Sequence, residues 1–237
     1  MQQTYVYKWL DLNIVFKIGG HVIFNGDELN INLLKVYSNI FRETYDGGRW
    51  VIVVGGGKPA RKYVESARKL GLNEGLCDEI GIKITRINAM ILSSLLGELA
   101  YPVIPENLEQ VRAYSTSGRI VVMGGLQPGQ STIAVSALVA ETINAEKLVI
   151  ATDVDGIYTE DPKKNPDAKL LREISVNELT KKLIEYSHEA GEYKLADLQG
   201  LKIISRSHIT TIYLNGRNPE NLRKALKGEQ VGTLLKS

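Results

Sequence analysis

The chain holds a single cysteine, Cys77, among its 237 residues. One thiol can neither close an internal disulfide nor build a cysteine-based metal cluster, so Cys77 reads as a small, buried apolar residue in a reducing compartment. Net charge is nearly absent too: 29 Lys and Arg stand against 27 Asp and Glu, a balance of +2. Bulk electrostatics therefore give no reason to expect nucleic acid, and any anionic partner must be met locally. No run approaches the ~18 consecutive apolar residues of a membrane span. The opening MQQTYVYKWLDLN has neither a basic start nor an apolar signal core, and the expectation is a cytoplasmic protein without a membrane partner. Internal repeats and low-complexity linkers are missing as well. The length allows one large α/β domain or two small lobes around a real core.

What is present is an alternation of short β-branched runs with helical patterns, the signature of βα units and a mostly parallel sheet. NIVFKI (13–18), WVIVV (50–54), RIVVM (119–123), KLVIAT (147–152) and TTIYL (210–214) are near-continuous apolar strands, as expected of a sheet covered on both faces. Helices are expected over 58–70, 79–99, 131–143, 176–186, 195–207 and 219–227. In the long one, Ile80, Ile84, Ile87 and Ile91 recur at helical spacing and form an apolar face. His188 and His208 fall on polar faces and read as solvated. Residues 1–12 form an appendage before the first strand, and an extra edge strand is one reading of it.

Ligands of open parallel sheets bind beyond the carboxyl ends of the strands. Four such junctions are unusual here. In KIGG, Lys17 sits inside an apolar strand just before a Gly-Gly turn. An ammonium is rarely buried without a partner, and a phosphate would be one; an edge-strand lysine facing solvent is the plainer alternative. GGGKPARKY (55–63) places three glycines ahead of a helix start, where backbone N–H groups can face an anion. Lys58 and Arg61 in that first turn run against the helix dipole, which makes sense beside a phosphate. GGLQPGQST (124–132) looks like a phosphate loop whose lysine is missing, with Gln130 in its place. Ser131 or Thr132 can cap the next helix, and the loop still offers amide and hydroxyl donors. ATDVDGIYTEDP (151–162) ends a strand in Thr152 and Asp153, and a D-G turn then leads to Tyr158 and Asp161. Short polar groups beside an aromatic can hold a base and ribose, or simply form a surface hairpin.

Taken in order, KIGG, VVVGGGKPARKY, DEIGIKITRINAM, VVMGGLQPGQST and ATDVDGIYTEDP resemble the amino acid kinase family, and within it the archaeal type of uridylate kinase. The resemblance runs from about Ile14 to the C-terminus. It implies a three-layer αβα sandwich with a mostly parallel central sheet, one domain over 1–237. Within it, about 13–145 would form the acceptor-binding lobe and about 146–237 the ATP-binding lobe. It implies transfer of the γ-phosphoryl group of ATP to UMP with Mg²⁺ in pyrimidine nucleotide synthesis, a homohexamer built from dimers, and UTP as an inhibitor.

Carried over residue by residue, Lys17 would stabilise the transferring phosphoryl group, and Gly19, Gly20, His21, Gly57 and Arg61 would line ATP phosphates. Thr152, Asp153, Tyr158 and Asp161 would hold adenine and ribose. Gly56, Asp78 and the stretch Leu126, Gln127, Pro128, Gly129, Gln130, Ser131 and Thr132 would hold UMP. Relatives with an aspartate after the TT pair use it to orient the lysine. Here that position is Ile133, and Asp197 is the substitute, an N-cap role explaining it equally well. No general base is expected, because a phosphate oxygen is already ionised at neutral pH, and no protein-held metal is assigned. A kinase of another small acceptor (aspartate, glutamate or isopentenyl phosphate) and a non-catalytic nucleotide-binding storage or regulatory protein stay open as alternatives.

Overall fold

A computed structural model describes residues 12–188 and 196–236. The appendage before residue 12 and the start of the expected 195–207 helix lie outside the described residues, as does the side chain of His188. In chain order the elements are β1 (Ile14–Ile18), α1 (Gly20–Ile23), β2 (Phe24–Asn25), β3 (Glu28–Leu29), α2 (Ile31–Thr44), β4 (Trp50–Val54), α3 (Gly57–Lys69) and α4 (Glu74–Leu96). There follow α5 (Leu108–Tyr114), β5 (Val121–Met123), α6 (Thr132–Thr142), β6 (Lys147–Thr152), β7 (Glu173–Ser175), α7 (Val176–His188), α8 (Leu198–Ser207), β8 (Thr210–Asn215), α9 (Pro219–Leu226) and β9 (Thr233–Lys236). α1, α2, α5, β7, β9 and the small β2–β3 ribbon add to the elements expected from sequence.

Seven strands form one sheet in the order β5-β4-β1-β6-β8-β9-β7, parallel throughout except where β8 meets β9. The apolar runs become strands buried on both faces, and β4 is buried at every position. Side chains alternate across the sheet. Ile14, Phe16 and Ile18 pack with α2, α4 and α9, whereas Val15 packs with α6, α7 and α8, so the sheet is the middle layer of a sandwich. Lys17 shares the face of Val15 and therefore points toward the α6–α8 layer, not toward an open edge. β1 is central, paired with β4 on one side and β6 on the other, which rules out the edge-strand alternative for its lysine.

The isoleucine stripe of α4 faces outward. The buried positions are Cys77, Thr85, Asn88, Ala89, Leu92, Ser93 and Leu96, while Ile87 is 49% and Met90 55% exposed. Periodicity identifies a stripe but not the side to which it turns, and the sheet takes the smaller, partly polar face. Among the described residues this helix with its final turn, Glu74–Leu99, is the one long and apolar enough to cross a membrane by length and composition. Here it packs on α3, α2 and β5 as an outer layer of the sandwich. Cys77 is fully buried, as expected.

Candidate active site

The carboxyl ends of β1, β4, β5 and β6 open into two adjoining clefts. Two of the loops there are pressed together: a Cβ at Gly20 would lie 1.9 Å from the Gly57 nitrogen, and one at Gly55 would lie 2.6 Å from the Gly20 nitrogen. Only glycine permits that approach. Asn88 ties the second loop to α4 by donating to the carbonyls of Gly55 (2.9 Å) and Gly56 (3.3 Å). Thr85 does the same for the third loop, its hydroxyl accepting from the Gly125 amide at 2.7 Å.

Helix caps divide by location. Asn30, Asn73, Asn107, Ser131, Asp197 and Asn218 cap their helices through side chains, satisfying N–H groups that would otherwise lack partners. The two helices that start at the Gly-Gly loops, α1 and α3, have Gly19 and Gly56 as N-caps and no side-chain cap. Their first amides are left for an anion.

The first cleft, about 400 Å³, is lined by Lys17, Gly19, Gly20, His21, Arg61, Ile133, Thr152, Asp153, Asp161 and Lys163. Burial pushes the Lys17 ammonium down to about 8, against the opposing pull of Asp153 and then Asp197. Although burial opposes its charge, Asp153 is held below the usual carboxylate range by Lys163, whose ammonium lies 2.5 Å away. Burial, with repulsion from Arg61 adding to it against Asp153, keeps His21 below the ordinary imidazole range. Its Nε2 accepts from the Arg61 guanidinium at 3.0 Å. Arg61 thus reaches the cleft, whereas Lys58 is turned away to Asp27, 3.7 Å distant, which also takes Lys62.

The second cleft, about 220 Å³, is lined by Gly56, Gly57, Ala60, Asp78, Ile82, Thr85, Gly125, Gln127, Gln130 and Thr132 among others. Asp78 accepts from the Gly129 amide at 2.8 Å and so pins the third loop onto α4. The Gln130 Oε1 atom is buried without a hydrogen-bond partner.

The structure thus gathers most of the residues expected from sequence. Gly57, expected among the ATP residues, lines the second cleft beside Gly56. Tyr158 does not line the first; its hydroxyl points to Asp155 at 3.4 Å and its backbone bridges to Leu170. Leu126 packs on the core rather than lining the second cleft, and Pro128, Gly129 and Ser131 also stand outside its lining. Asp197 lines neither cleft, although its charge favours the Lys17 ammonium. Sequence reasoning missed Thr85, Asn88 and Lys163. The first two left a signal, polar residues on the buried side of an otherwise apolar helix.

The sequence profile of the amino acid kinase family matches residues 13–215. A uridylate kinase of Methanobrevibacter smithii is 44% identical over 94% of this chain and 98% of its own length. One from Thermofilum pendens is 43% identical over 94% of this chain and 97% of its own. The crystal structure of uridylate kinase from Archaeoglobus fulgidus superposes with a TM-score of 0.84 at 38% identity, covering 94% of this chain and all (100%) of that one.

Proposed function

This chain belongs to the amino acid kinase family, and from that premise we propose that it is a uridylate kinase, transferring the γ-phosphoryl group of ATP to UMP to give UDP and ADP. The observation that carries the reading is Lys17: a desolvated ammonium on the central strand, facing the first cleft, beside two helix starts with no side-chain cap. Phosphoryl transfer needs alignment and neutralisation of spreading negative charge more than it needs a covalent nucleophile. Lys17, Arg61 and the amides of Gly20 and His21 meet the ATP phosphates, and Thr152, Asp153 and Asp161 take the adenosine end, the Gly19 amide being held by the Ala151 carbonyl at 2.9 Å. UMP fills the second cleft, with its phosphate on the Gly56–Gly57 amides and the Thr132 hydroxyl and its ribose on Asp78. Among the described residues no three His, Cys, Asp or Glu side chains converge to hold a metal. With no such protein site, a Mg²⁺ ion would have to be held by the nucleotide itself, and the chemistry it would supply is further charge neutralisation.

The absence of a lysine from GGLQPGQST follows from this arrangement, since that loop faces an acceptor with a single phosphate. The test is a coupled assay with ATP against UMP, CMP and aspartate. UMP is expected to be the preferred acceptor, and turnover with UMP no higher than with CMP or aspartate would sink the reading.

Gln130 supplies a sharper prediction. A buried carbonyl oxygen without a donor costs about 1–3 kcal/mol, and the imide N3–H of uracil is a donor where cytosine offers an acceptor. Gln130→Leu is expected to raise the KM for UMP about tenfold, to narrow the preference for UMP over CMP, and to leave the thermal midpoint unchanged or higher. The ratio of the two kcat/KM values checks it.

The outward stripe of α4, with Ile87 and Met90 half exposed, is the face on which a second copy packs to form the dimer unit of a homohexamer. Ile87→Lys is expected to shift the mass measured by light scattering to that of a smaller species; an unchanged mass would place the contact elsewhere. A cytoplasmic role in pyrimidine nucleotide synthesis, with UTP as inhibitor, completes the proposal and rests on the resemblance.

A further inference from the structure

We propose that Ser131 is a positioning residue: it fixes the Asp197 carboxylate in the helical layer that Lys17 faces and makes no contact with substrate. The inference rests on the kinase reading and refines how its site is held.

A hydroxyl has one proton to donate and two lone pairs with which to accept. The Ser131 oxygen accepts from the amides of Ile133 and Ala134, both at 3.1 Å, as the cap of α6. Its proton goes to Oδ2 of Asp197. All of its bonding capacity is therefore used within the protein, and none is left for a phosphate.

Asp197 is held from two directions. Oδ2 takes the Ser131 proton, and Oδ1 accepts from the Gly200 amide at 2.6 Å as the cap of α8. The carboxylate is thus clamped between the starts of two helices that pack together, with Gly200 close against Ile133. Of the two carboxylates acting on Lys17, Asp153 shares its charge with Lys163 at 2.5 Å, whereas Asp197 makes no salt bridge among the described residues. Lys17 lines the first cleft together with Ile133, against which Gly200 packs, so the carboxylate that Ser131 clamps lies in the layer the ammonium faces. Because α6 begins at the end of the acceptor loop, the same hydroxyl joins that loop to the lysine.

The experiment compares Ser131→Ala, Ser131→Gly and Ser131→Thr. Alanine removes the bridge and the cap together; glycine removes the bridge yet remains a tolerable cap; threonine keeps both. The expected result for alanine and glycine is a kcat lower by about ten- to a hundredfold, with the KM for UMP within threefold of the parent and with threonine near the parent. Acylation of Lys17 in the free protein, followed by mass spectrometry across pH, reads its titration without any acceptor. Its midpoint should move to lower pH in the alanine and glycine variants and stay in place with threonine. Asp197→Asn should give the same displacement, and adding Ser131→Ala to it should cost nothing further. A tenfold rise in the KM for UMP with an unmoved Lys17 midpoint would make Ser131 a substrate contact and overturn the proposal. An enzyme that fails to phosphorylate UMP while Lys17 still shifts would sink the acceptor assignment and leave the positioning role standing.

Discussion

Lys17→Met is expected to lower kcat about a thousandfold, ~4 kcal/mol of transition-state stabilisation, while the affinity for UMP changes by less than threefold. The asymmetry follows from where the charge sits. The ammonium is desolvated on β1 and lines the first cleft; in the proposed reaction it meets the phosphoryl group in transfer and acts on charge that develops late. UMP, in the same proposal, lies in the adjoining cleft, whose lining does not include Lys17. Equal losses of binding and rate would reassign Lys17 to ground-state holding.

The same residue sets a pH dependence. With the lysine down at about 8 in the free protein, kcat/KM should fall as the pH rises through that value, because the neutral amine carries no charge to the phosphates. The limb seen in kcat should lie higher, since bound phosphates restore the proton. Stability moves in the opposite sense. A lysine whose pKa is lower folded than unfolded costs stability in full below its folded value, and the cost fades as the pH climbs from about 8 toward 10.5, where the unfolded chain also loses the proton. Asp153 and Asp197 keep Lys163 and Ser131 as partners in the methionine variant. It should therefore melt a few degrees higher than the parent at pH 7, and the gain should close near pH 10. Calorimetry at the two pH values checks this, and a variant less stable at pH 7 would show that the ammonium is a net structural asset.

How far the sequence foretold this site can be argued residue by residue. A lysine inside NIVFKI is conspicuous because strands buried on both faces exclude charge, and it lies on an interior strand and lines the first cleft. The glycine loops were legible because few residues tolerate such close approach. The direction of the α4 stripe was not, since amphipathic spacing is equally consistent with either face turned to the sheet. The decision fell to Thr85 and Asn88, whose hydrogen bonds to the loops exist only after β4 and β5 are in place. Asp197 could be read as a cap from its sequence alone. Its bond to Ser131, on which the role proposed for it rests, depends on α8 lying beside α6, a long-range pairing that no local pattern encodes. Tyr158 runs the other way: its place after the D-G turn suggests a ligand contact, whereas its hydroxyl is turned to Asp155 and it does not line the first cleft.

The close approach of the first two loops yields the prediction with the largest structural effect. Gly20→Ala is expected to destabilise the protein by at least about 3 kcal/mol, lowering its thermal midpoint by roughly 10 °C, and to abolish phosphoryl transfer. The new Cβ would fall 1.9 Å from the Gly57 nitrogen and 2.3 Å from its Cα, and both are backbone atoms that cannot change rotamer to make room. Only separation of the loops relieves the clash, and Gly55, which follows β4 directly, is so close that a Cβ on it would lie 2.6 Å from the Gly20 nitrogen, so the separation strains the end of β4 as well. Parting them turns the α1 and α3 amides away from a common focus, so losses in the KM for ATP and for UMP should appear together. Gly26→Ala is the control: its φ of +65 strains an L-residue, but nothing lies within 4 Å of its Cβ, so the cost should stay near 1 kcal/mol with activity retained. A Gly20→Ala protein that melts with the parent and keeps kcat/KM within threefold would mean that the two loops do not meet as described.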